Sequence, residues 1–360
     1  MLLNFLSQIG LQVREEFEST ISTIRHKHFS ASAVYPRMSR LYNIYSREDL
    51  IKQRLAERFS RKTVSFYRYV QLADLHELRD RLYSDWFSMG VLGRVYLAAE
   101  GINAQISVPE PHIDEFIAYL DATPWFANMP LKWAVEDHHL SFLKLKMKVR
   151  PKIVADGLEE GSFDVTNVGT HLSAAEFNKA LEEENTIVVD MRNHYESEVG
   201  HFEGALCPEV DTFREEVEYV VQQLEAHKDK KILMYCTGGV RCEKASAYLR
   251  HHGFNDVSQL YGGIIEYARQ AREENLPLKF KGKNFVFDER LGERITQDII
   301  SNCHQCGKPC DTHTNCANDA CHKLFIQCPE CAERYRGCCC DRCVDFIADE
   351  SVPALVPKGR

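Results

Sequence analysis

No apolar run in this chain of 360 residues approaches the ~20 residues that a membrane-spanning helix needs, which argues against a transmembrane helix. The opening residues, Met1-Leu-Leu-Asn-Phe-Leu6, carry no basic leader and no long apolar stretch follows. No secretory signal is therefore expected, and the chain is expected to be cytoplasmic with no membrane partner. An excess of positive charge is also missing: 44 Lys and Arg stand against 53 Asp and Glu, for a formal net charge of −9. That balance excludes indiscriminate coating of nucleic acid but leaves room for a local basic face. There is no flavin, haem or nicotinamide motif either, so chemistry must come from side chains, bound metal or a co-substrate.

Cysteine, by contrast, is abundant and unevenly spread. Eleven of the 14 cysteines lie between Cys303 and Cys343, and a clustered set in a chain of this length favours metal over a disulfide scaffold. Two Cys-x2-Cys knuckles, Cys303/Cys306 and Cys328/Cys331, are separated by 21 residues. Each such turn presents two thiolates to one tetrahedral ion, so zinc is expected there. A second ion could be held by Cys310, Cys316, Cys321 and the 338–343 group, Cys338 foremost, with His304, His313 or His322 as substitutes. An iron–sulfur cluster is the competing reading, and disulfides would need oxidising surroundings.

The most informative residues are Cys236-Thr-Gly-Gly-Val-Arg241. An apolar strand, Ile232–Tyr235, precedes them, and an amphipathic helix from Glu243 to His252 follows, stopped by Gly253. Such a strand–loop–helix junction turns backbone N–H groups toward one point, where the helix dipole adds partial positive charge. A thiol there should ionise well below its free value of ~8.5, in the range of roughly 3.5–7.5. Cys236 is thus the candidate catalytic nucleophile, with Thr237, Gly238, Gly239, Val240, Arg241 and Cys242 as its loop. A merely packed Cys would need neither the two glycines nor the arginine. Phosphatase loops place five residues between Cys and Arg, whereas four intervene here, so a smaller electrophile than phosphate is expected. Cys242 reads equally well as a resolving thiol and as a packing residue.

Upstream, the strand Thr186–Val189 ends in Asp190-Met-Arg192, followed by Glu196 and Gly200-His-Phe-Glu-Gly-Ala205. Downstream, Val257–Leu260 leads into Gly262-Gly263. Strands alternating with helices indicate a parallel sheet with active groups at the strands' carboxyl ends. In this order these motifs resemble the rhodanese domain, with Glu203 standing where rhodaneses usually carry Pro. The resemblance implies a catalytic Cys236 in an anion-cradling loop, and Asp190 and Arg192 as structural support at a strand end.

From Val64 the pattern runs strand, helix (Asp74–Met89, capped by Asp74), strand (Leu92–Ala98), strand (Asn103–Val108), helix (His112–Ala122), then further strands to about Arg150. This β-α-β-β-α-β order is ferredoxin-like, the arrangement of acylphosphatases and many RNA-binding modules. Within it Lys144, Lys146, Lys148 and Arg150 alternate with Leu143, Leu145, Met147 and Val149. A strand would line its cations along one face about 7 Å apart, close to the phosphate spacing of an extended single strand. The row is either a phosphate-binding edge or a solvated strand face. The expected architecture is therefore α/β and α+β multidomain. Residues 1–60 form an extension and lead helix, 61–152 a ferredoxin-like (acylphosphatase-like) domain, 165–277 a rhodanese α/β domain, 278–345 a Cys-rich metal-binding segment and 346–360 a tail.

Three stretches together resemble one family from about residue 63 to 343. They are Gly93-Arg-Val-Tyr-Leu97 with Glu100-Gly-Ile-Asn-Ala-Gln105, the loop extended to Cys242-Glu-Lys-Ala-Ser246, and the tail's Cys316-Ala-Asn-Asp-Ala-Cys321 with Leu324-Phe-Ile-Gln-Cys-Pro329. The family is that of the bacterial rhodanese-domain tRNA uridine hydroxylases (TrhO/YceA). The resemblance implies conversion of the wobble uridine of certain tRNAs to 5-hydroxyuridine with O2 as co-substrate, Cys236 essential and the tRNA anticodon loop as partner. Two other functions remain open at this point: a sulfurtransferase carrying a persulfide on Cys236, and a non-catalytic RNA-binding scaffold.

Overall fold

A computed structural model describes residues 43–348; the tail 346–360 beyond residue 348, and residues 1–42 of the expected extension, lie outside them. Helix α1 (Arg47–Leu55) starts at Ser46, whose hydroxyl accepts from the Asp49 N–H and satisfies one of the free donors of the first turn. Then come β1 (Arg61–Tyr69), α2 (Leu75–Ser88), β2 (Leu92–Ala98), β3 (Gly101–Pro109), α3 (Ile113–Ala122), β4 (Lys132–Trp133) and β5 (Leu145–Val149). The five strands form one sheet in the order β4-β1-β3-β2-β5. β4, β1, β3 and β2 are antiparallel neighbours, and β5 adds to the edge parallel to β2. This is the acylphosphatase-like arrangement expected from the element order. Asp74 does stand at the start of α2, but its φ is 48° and its side chain makes no capping bond, so the expected cap is corrected.

Side-chain alternation divides this sheet into two unlike faces. Val64, Phe66, Val95, Leu97, Ile102, Ala104 and Ile106 are buried on one face, against Leu82 and Trp86 of α2 and Phe116 of α3. Burial of each large apolar side chain contributes roughly 1.5–3 kcal/mol, so this face holds the helices. The opposite face is polar. Its register sets Ser65, Gln105, Arg94 and Lys146 in one row across the strands, and Tyr67, Asn103, Tyr96 and Lys148 in the next. The Cys236 loop stands opposite that face.

The central region runs β6 (Thr170–Leu172), α4 (Ala174–Ala180), β7 (Thr186–Asp190), α5 (His194–Ser197), β8 (Gly200–Phe202), α6 (Phe213–Leu224), β9 (Lys231–Tyr235), α7 (Val240–His251), β10 (Asp256–Leu260) and α8 (Gly263–Glu273). Its sheet has the order β6-β10-β9-β7 with every pair parallel. Both faces are covered, so β7 (Thr-Ile-Val-Val-Asp) and β9 (Lys-Ile-Leu-Met-Tyr) read as continuous apolar runs. Val189, Ile232, Met234 and Val257 pack with α6 and α7. Val188, Leu233, Tyr235 and Leu260 pack on the other side with Phe177 of α4 and with Ile264 and Tyr267 of α8. Helix α7 begins at Val240, three residues before the expected Glu243, so Val240, Arg241 and Cys242 form its first turn.

The remaining chain contributes β11 (Phe280–Asn284), β12 (Glu293–Arg294), β13 (His313–Asn315), β14 (Leu324–Ile326), α9 (Pro329–Arg334) and α10 (Asp341–Ala348). β11 pairs antiparallel with β8, fastening this segment to the central domain. Val199 packs among Cys303, Cys310, Ile326, Cys328 and Cys331. Among the described residues no helix is long and apolar enough to cross a membrane.

Candidate active site between the amino-terminal sheet and the Cys236 loop

The loop's shape follows from two glycines and two helix starts. Gly239 has φ 98°, and a Cβ there would lie 2.8 Å from the Tyr67 hydroxyl. At Gly263 a Cβ would fall 2.5 Å from the Cys236 carbonyl oxygen and 2.6 Å from that of Thr237, so only glycine fits. The first free N–H groups of α8 use this closeness: Ile264 donates to the Cys236 carbonyl at 3.0 Å and Ile265 to the Thr237 carbonyl at 3.2 Å. The carbonyls are thereby turned toward α8, and the N–H groups toward the sulfur.

Gly239 N–H donates to Cys236 Sγ at 3.1 Å. Burial alone would push this thiol up; the Cys242 side chain, the Arg241 charge and the N–H groups of Cys242 and Arg241 outweigh burial and lower it to about 6. Burial and the neighbouring Cys236 push the Cys242 thiol the opposite way, well above its ordinary value. Cys242 therefore stays an S–H donor to a Cys236 thiolate. Arg241 is held in turn by Glu196 of α5, its two terminal nitrogens donating at 2.6 and 2.9 Å. Thr237 Oγ1 donates to the same carboxylate at 3.3 Å. The guanidinium is thus engaged by a buried carboxylate and acts on the sulfur as a fixed charge. At the end of β7, Asp190 and Arg192 form a fully buried bidentate pair at 2.6 and 2.8 Å.

Cys236 borders a cavity of about 410 Å³, within the span of small-molecule sites. One wall is the loop, with Cys236, Thr237, Gly238, Val240 and Arg241. The facing wall is the polar side of the amino-terminal sheet, with Ser65, Tyr67, Arg94, Tyr96 and Gln105, and Lys132 from β4. Phe287, Asp288, Arg290 and Glu293 close a third side. The thiol itself is covered: Cys236 has 0% exposure, and Gly239 N–H lies against its sulfur.

Tyr67 of the cavity wall, and the polar cluster behind it, have no counterpart in the sequence reading. The Tyr67 hydroxyl donates to Glu243 at 2.8 Å, and Glu243 also meets His171 Nε2 at 2.9 Å and Gln259 at 3.1 Å. Below this cluster, Lys244 joins the two domains: its ammonium contacts Glu100 at 2.8 Å and Asp156 at 2.6 Å. Glu100 and Lys244 both belong to family-like motifs, but nothing in their spacing joins them. Lys144, Lys146, Lys148 and Arg150 are not cavity walls. They continue the polar sheet face outward from Arg94 and Tyr96, with the Arg150 guanidinium 5.6 Å from the Tyr96 ring centre.

In the tail, Cys303, Cys306, Cys328 and Cys331 bring their sulfurs within 4.8 Å of one another, a set that can hold a metal ion. A second such set is Cys316, Cys321, Cys339 and Cys343. This corrects the expected ligands Cys310 and Cys338. Cys310 lies in the apolar contact with Val199 and Ile326, and Cys338 is fully buried beside Phe325. The triple Cys338–Cys340 projects three side chains in different directions, and it is Cys339 that joins Cys343, one turn on at the start of α10. Sulfur separations of 3.6 Å (Cys306–Cys328), 3.7 Å (Cys321–Cys339) and 3.8 Å (Cys339–Cys343) are those of thiolates sharing a tetrahedral ion. Among the described residues no histidine belongs to either set; His304 instead pairs with Glu198 at 2.7 Å.

Comparison with known proteins gives a consistent pattern. Family models match three consecutive parts: the UPF0176 acylphosphatase like domain over residues 61–153, a rhodanese-like domain over 173–270 and a rhodanase C-terminal region over 281–344. The chain is 59% identical over 307 residues to the tRNA uridine(34) hydroxylase of Leptospira interrogans serovar Lai, covering 85% of this chain and 84% of that protein. It is 56% identical to the tRNA uridine(34) hydroxylase of Enterobacter sp. (strain 638), over 87% of this chain and 88% of the relative. To that of Escherichia coli (strain SMS-3-5) it is 57% identical, over 84% and 87%.

Proposed function

The chain belongs to the tRNA uridine(34) hydroxylases, and from that premise we propose that it hydroxylates the wobble uridine at C5 through a Cys236 thiolate. Uracil C5 is a poor nucleophile until something adds at C6. Addition of Sγ to C6 moves the C5=C6 pair toward C4, and C5 then carries the electron density that meets an oxygen electrophile. Dioxygen supplies the oxygen; one atom goes to C5, and the other leaves as water with two electrons from an external reductant. Loss of the C5 proton and of the thiolate restores the ring as 5-hydroxyuridine and frees Cys236.

The observation that carries this reading is the thiol lowered to about 6 at the wall of a cavity large enough for a base. Arg241, committed to Glu196, serves the thiolate rather than a substrate phosphate. Because Cys236 has no exposed surface, the entering base must displace the atoms covering Sγ. A wobble base lies in a single-stranded loop, so splaying it into the cavity costs little. Lys144, Lys146, Lys148 and Arg150, on the sheet face that leads away from the cavity, are proposed to grip phosphates of the anticodon arm. The two four-cysteine sets suit zinc, which would hold the tail together in place of a larger apolar core.

Mass spectrometry of tRNA incubated with enzyme, air and reductant tests the function. Gain of one oxygen at uridine 34, lost with Cys236→Ala, is the expected result. Replacement of a carbonyl oxygen of the base by sulfur, with a persulfide on Cys236, would instead make the protein a sulfurtransferase. A Cys236→Ala protein that hydroxylates normally would reduce the loop to a relic.

A further inference from the structure

Addition of a thiolate to C6 leaves negative charge on the uracil O4, and the cavity must supply a donor for it. Two donors of the Cys236 loop are already engaged. Gly239 N–H is on Sγ, and Arg241 is held by Glu196. The facing wall offers another. Lys132 of β4 is only 5% exposed, and among the described residues its ammonium meets no carboxylate or carbonyl within bonding distance; its close neighbour is the Tyr67 ring, 4.2 Å from Nζ to the ring centre. Directly across the strand pair stands Ser65, in register with Lys132 and on the same face. Ser65 Oγ is buried with no hydrogen-bond partner among the described residues. Both residues line the Cys236 cavity, and a Cβ placed on Gly238 of the loop would lie 3.9 Å from Ser65 Oγ.

Ser65 Oγ, buried and without a partner, is costly unless a ligand satisfies it, and the Lys132 ammonium stands beside it on the same face of the cavity. We propose that Lys132, aided by Ser65, is a catalytic residue that binds O4 of the flipped uridine and stabilises the enolate formed when Cys236 adds to C6. This rests on the C6-addition reading above. The step balances without an oxidant. The Sγ–C6 bond forms, the C5=C6 pair moves into C5=C4, and O4 takes the negative charge against the Lys132 ammonium. A solvent proton can then add at C5. Loss of the original C5 hydrogen reforms C5=C6 and expels the thiolate.

The groups around Lys132 make the assignment sensitive to pH. Burial lowers its ammonium to about 8, against the opposing pull of Cys236, Glu243 and Glu266. Tyr67 lies beneath it, and His171 feels its charge through the Glu243 cluster. An ammonium needed at O4 is thus present at neutral pH and lost above about 8, whereas the thiolate is gained through about 6.

The test is anaerobic exchange of the uridine-34 C5 hydrogen with D2O, read by mass spectrometry of the full tRNA with the full chain. Wild-type enzyme should exchange this hydrogen, with a rate that rises through about pH 6 and falls above about pH 8. Lys132→Gln should slow exchange by about 10²–10³-fold, the usual loss for one oxyanion donor, with tRNA affinity unchanged and the alkaline fall abolished. Exchange at the wild-type rate in Lys132→Gln would overturn the inference, as would a loss of tRNA affinity that accounts for the whole effect. If that variant does not fold, the wild-type profile decides, and no fall in rate up to about pH 9 would count against Lys132. Wild-type enzyme that hydroxylates in air but never exchanges the C5 hydrogen would remove the C6-addition reading itself, and this inference with it.

Discussion

Cys236 and the cysteines of the tail are the same side chain placed in opposite electrical surroundings. At Cys236 the protein supplies the compensation for a thiolate, through Gly239 N–H, the protonated Cys242 thiol and the Arg241 charge. These neighbours lower the thiol to about 6. In the tail, two groups of four sulfurs lie within 4.8 Å of one another. Four thiolates so close repel unless an external cation stands between them, and the cation then occupies every sulfur. Cysteine chemistry is thus decided by where the positive charge comes from. Under the proposed function, a protein-borne charge would make a nucleophile of Cys236, and a borrowed one would tie the tail together.

That contrast can be broken at either end. Cys236→Ala should lower product formation by at least ~10⁴-fold in single turnover while metal content of the purified protein stays at the wild-type ratio. Conversely, Cys306→Ser or treatment with a strong chelator should release metal and loosen the tail, seen as new protease cleavage within the Cys-rich segment. The thiolate absorbance of Cys236 should persist, because its compensation comes from other residues. Parallel loss of both signals in either experiment would mean that the two regions share their stability.

A finer test concerns Cys242. Replacing it by Ala removes an S–H donor to the Cys236 thiolate, so the acid limb of the rate profile should move up from about 6 toward the ordinary thiol range. The sign is fixed: the active form is the thiolate, so activity at pH 7 falls, by about tenfold for each pH unit the limb travels beyond neutrality. Cys242→Ser keeps a donor and should keep most of the activity. If Cys242 acts as a resolving thiol, Cys242→Ser loses turnover under peroxide instead. The smallest expected effect is on salt dependence. Changing Lys144, Lys146, Lys148 and Arg150 together to Gln should weaken tRNA binding and flatten the slope of log affinity against log salt, by up to ~0.7 for each phosphate no longer neutralised. An unchanged slope would return that strand to a solvated face.

The Cys236 loop was readable because six consecutive residues carry it, and the ferredoxin-like order because its helices and strands alternate over one contiguous stretch. What escaped was assembled across distance. Lys132 sits on a strand of two residues, between segments with little periodicity, and only register places it beside Ser65 and opposite the loop. Tyr67 and Glu243 are 176 positions apart, and no local pattern joins a tyrosine on one sheet to the first turn of a helix in another domain. The helix start was misplaced to Glu243 because Val240, Arg241 and Cys242 look like loop residues, whereas their N–H groups are the free donors of a first turn. In the tail, spacing identified the first ligand set, whose knuckles are regular. It could not tell Cys338 from Cys339, since adjacent residues differ in direction rather than in sequence context.

The central claim, a thiolate that bonds to the base, is tested most directly with tRNA carrying 5-fluorouridine at position 34. Fluorine at C5 blocks the loss that would release the enzyme, so the account predicts a stable covalent complex that survives denaturation, maps by mass spectrometry to Cys236 and is absent with Cys236→Ala. Efficient binding of this tRNA without any covalent complex, or a complex formed equally by Cys236→Ala, would contradict it.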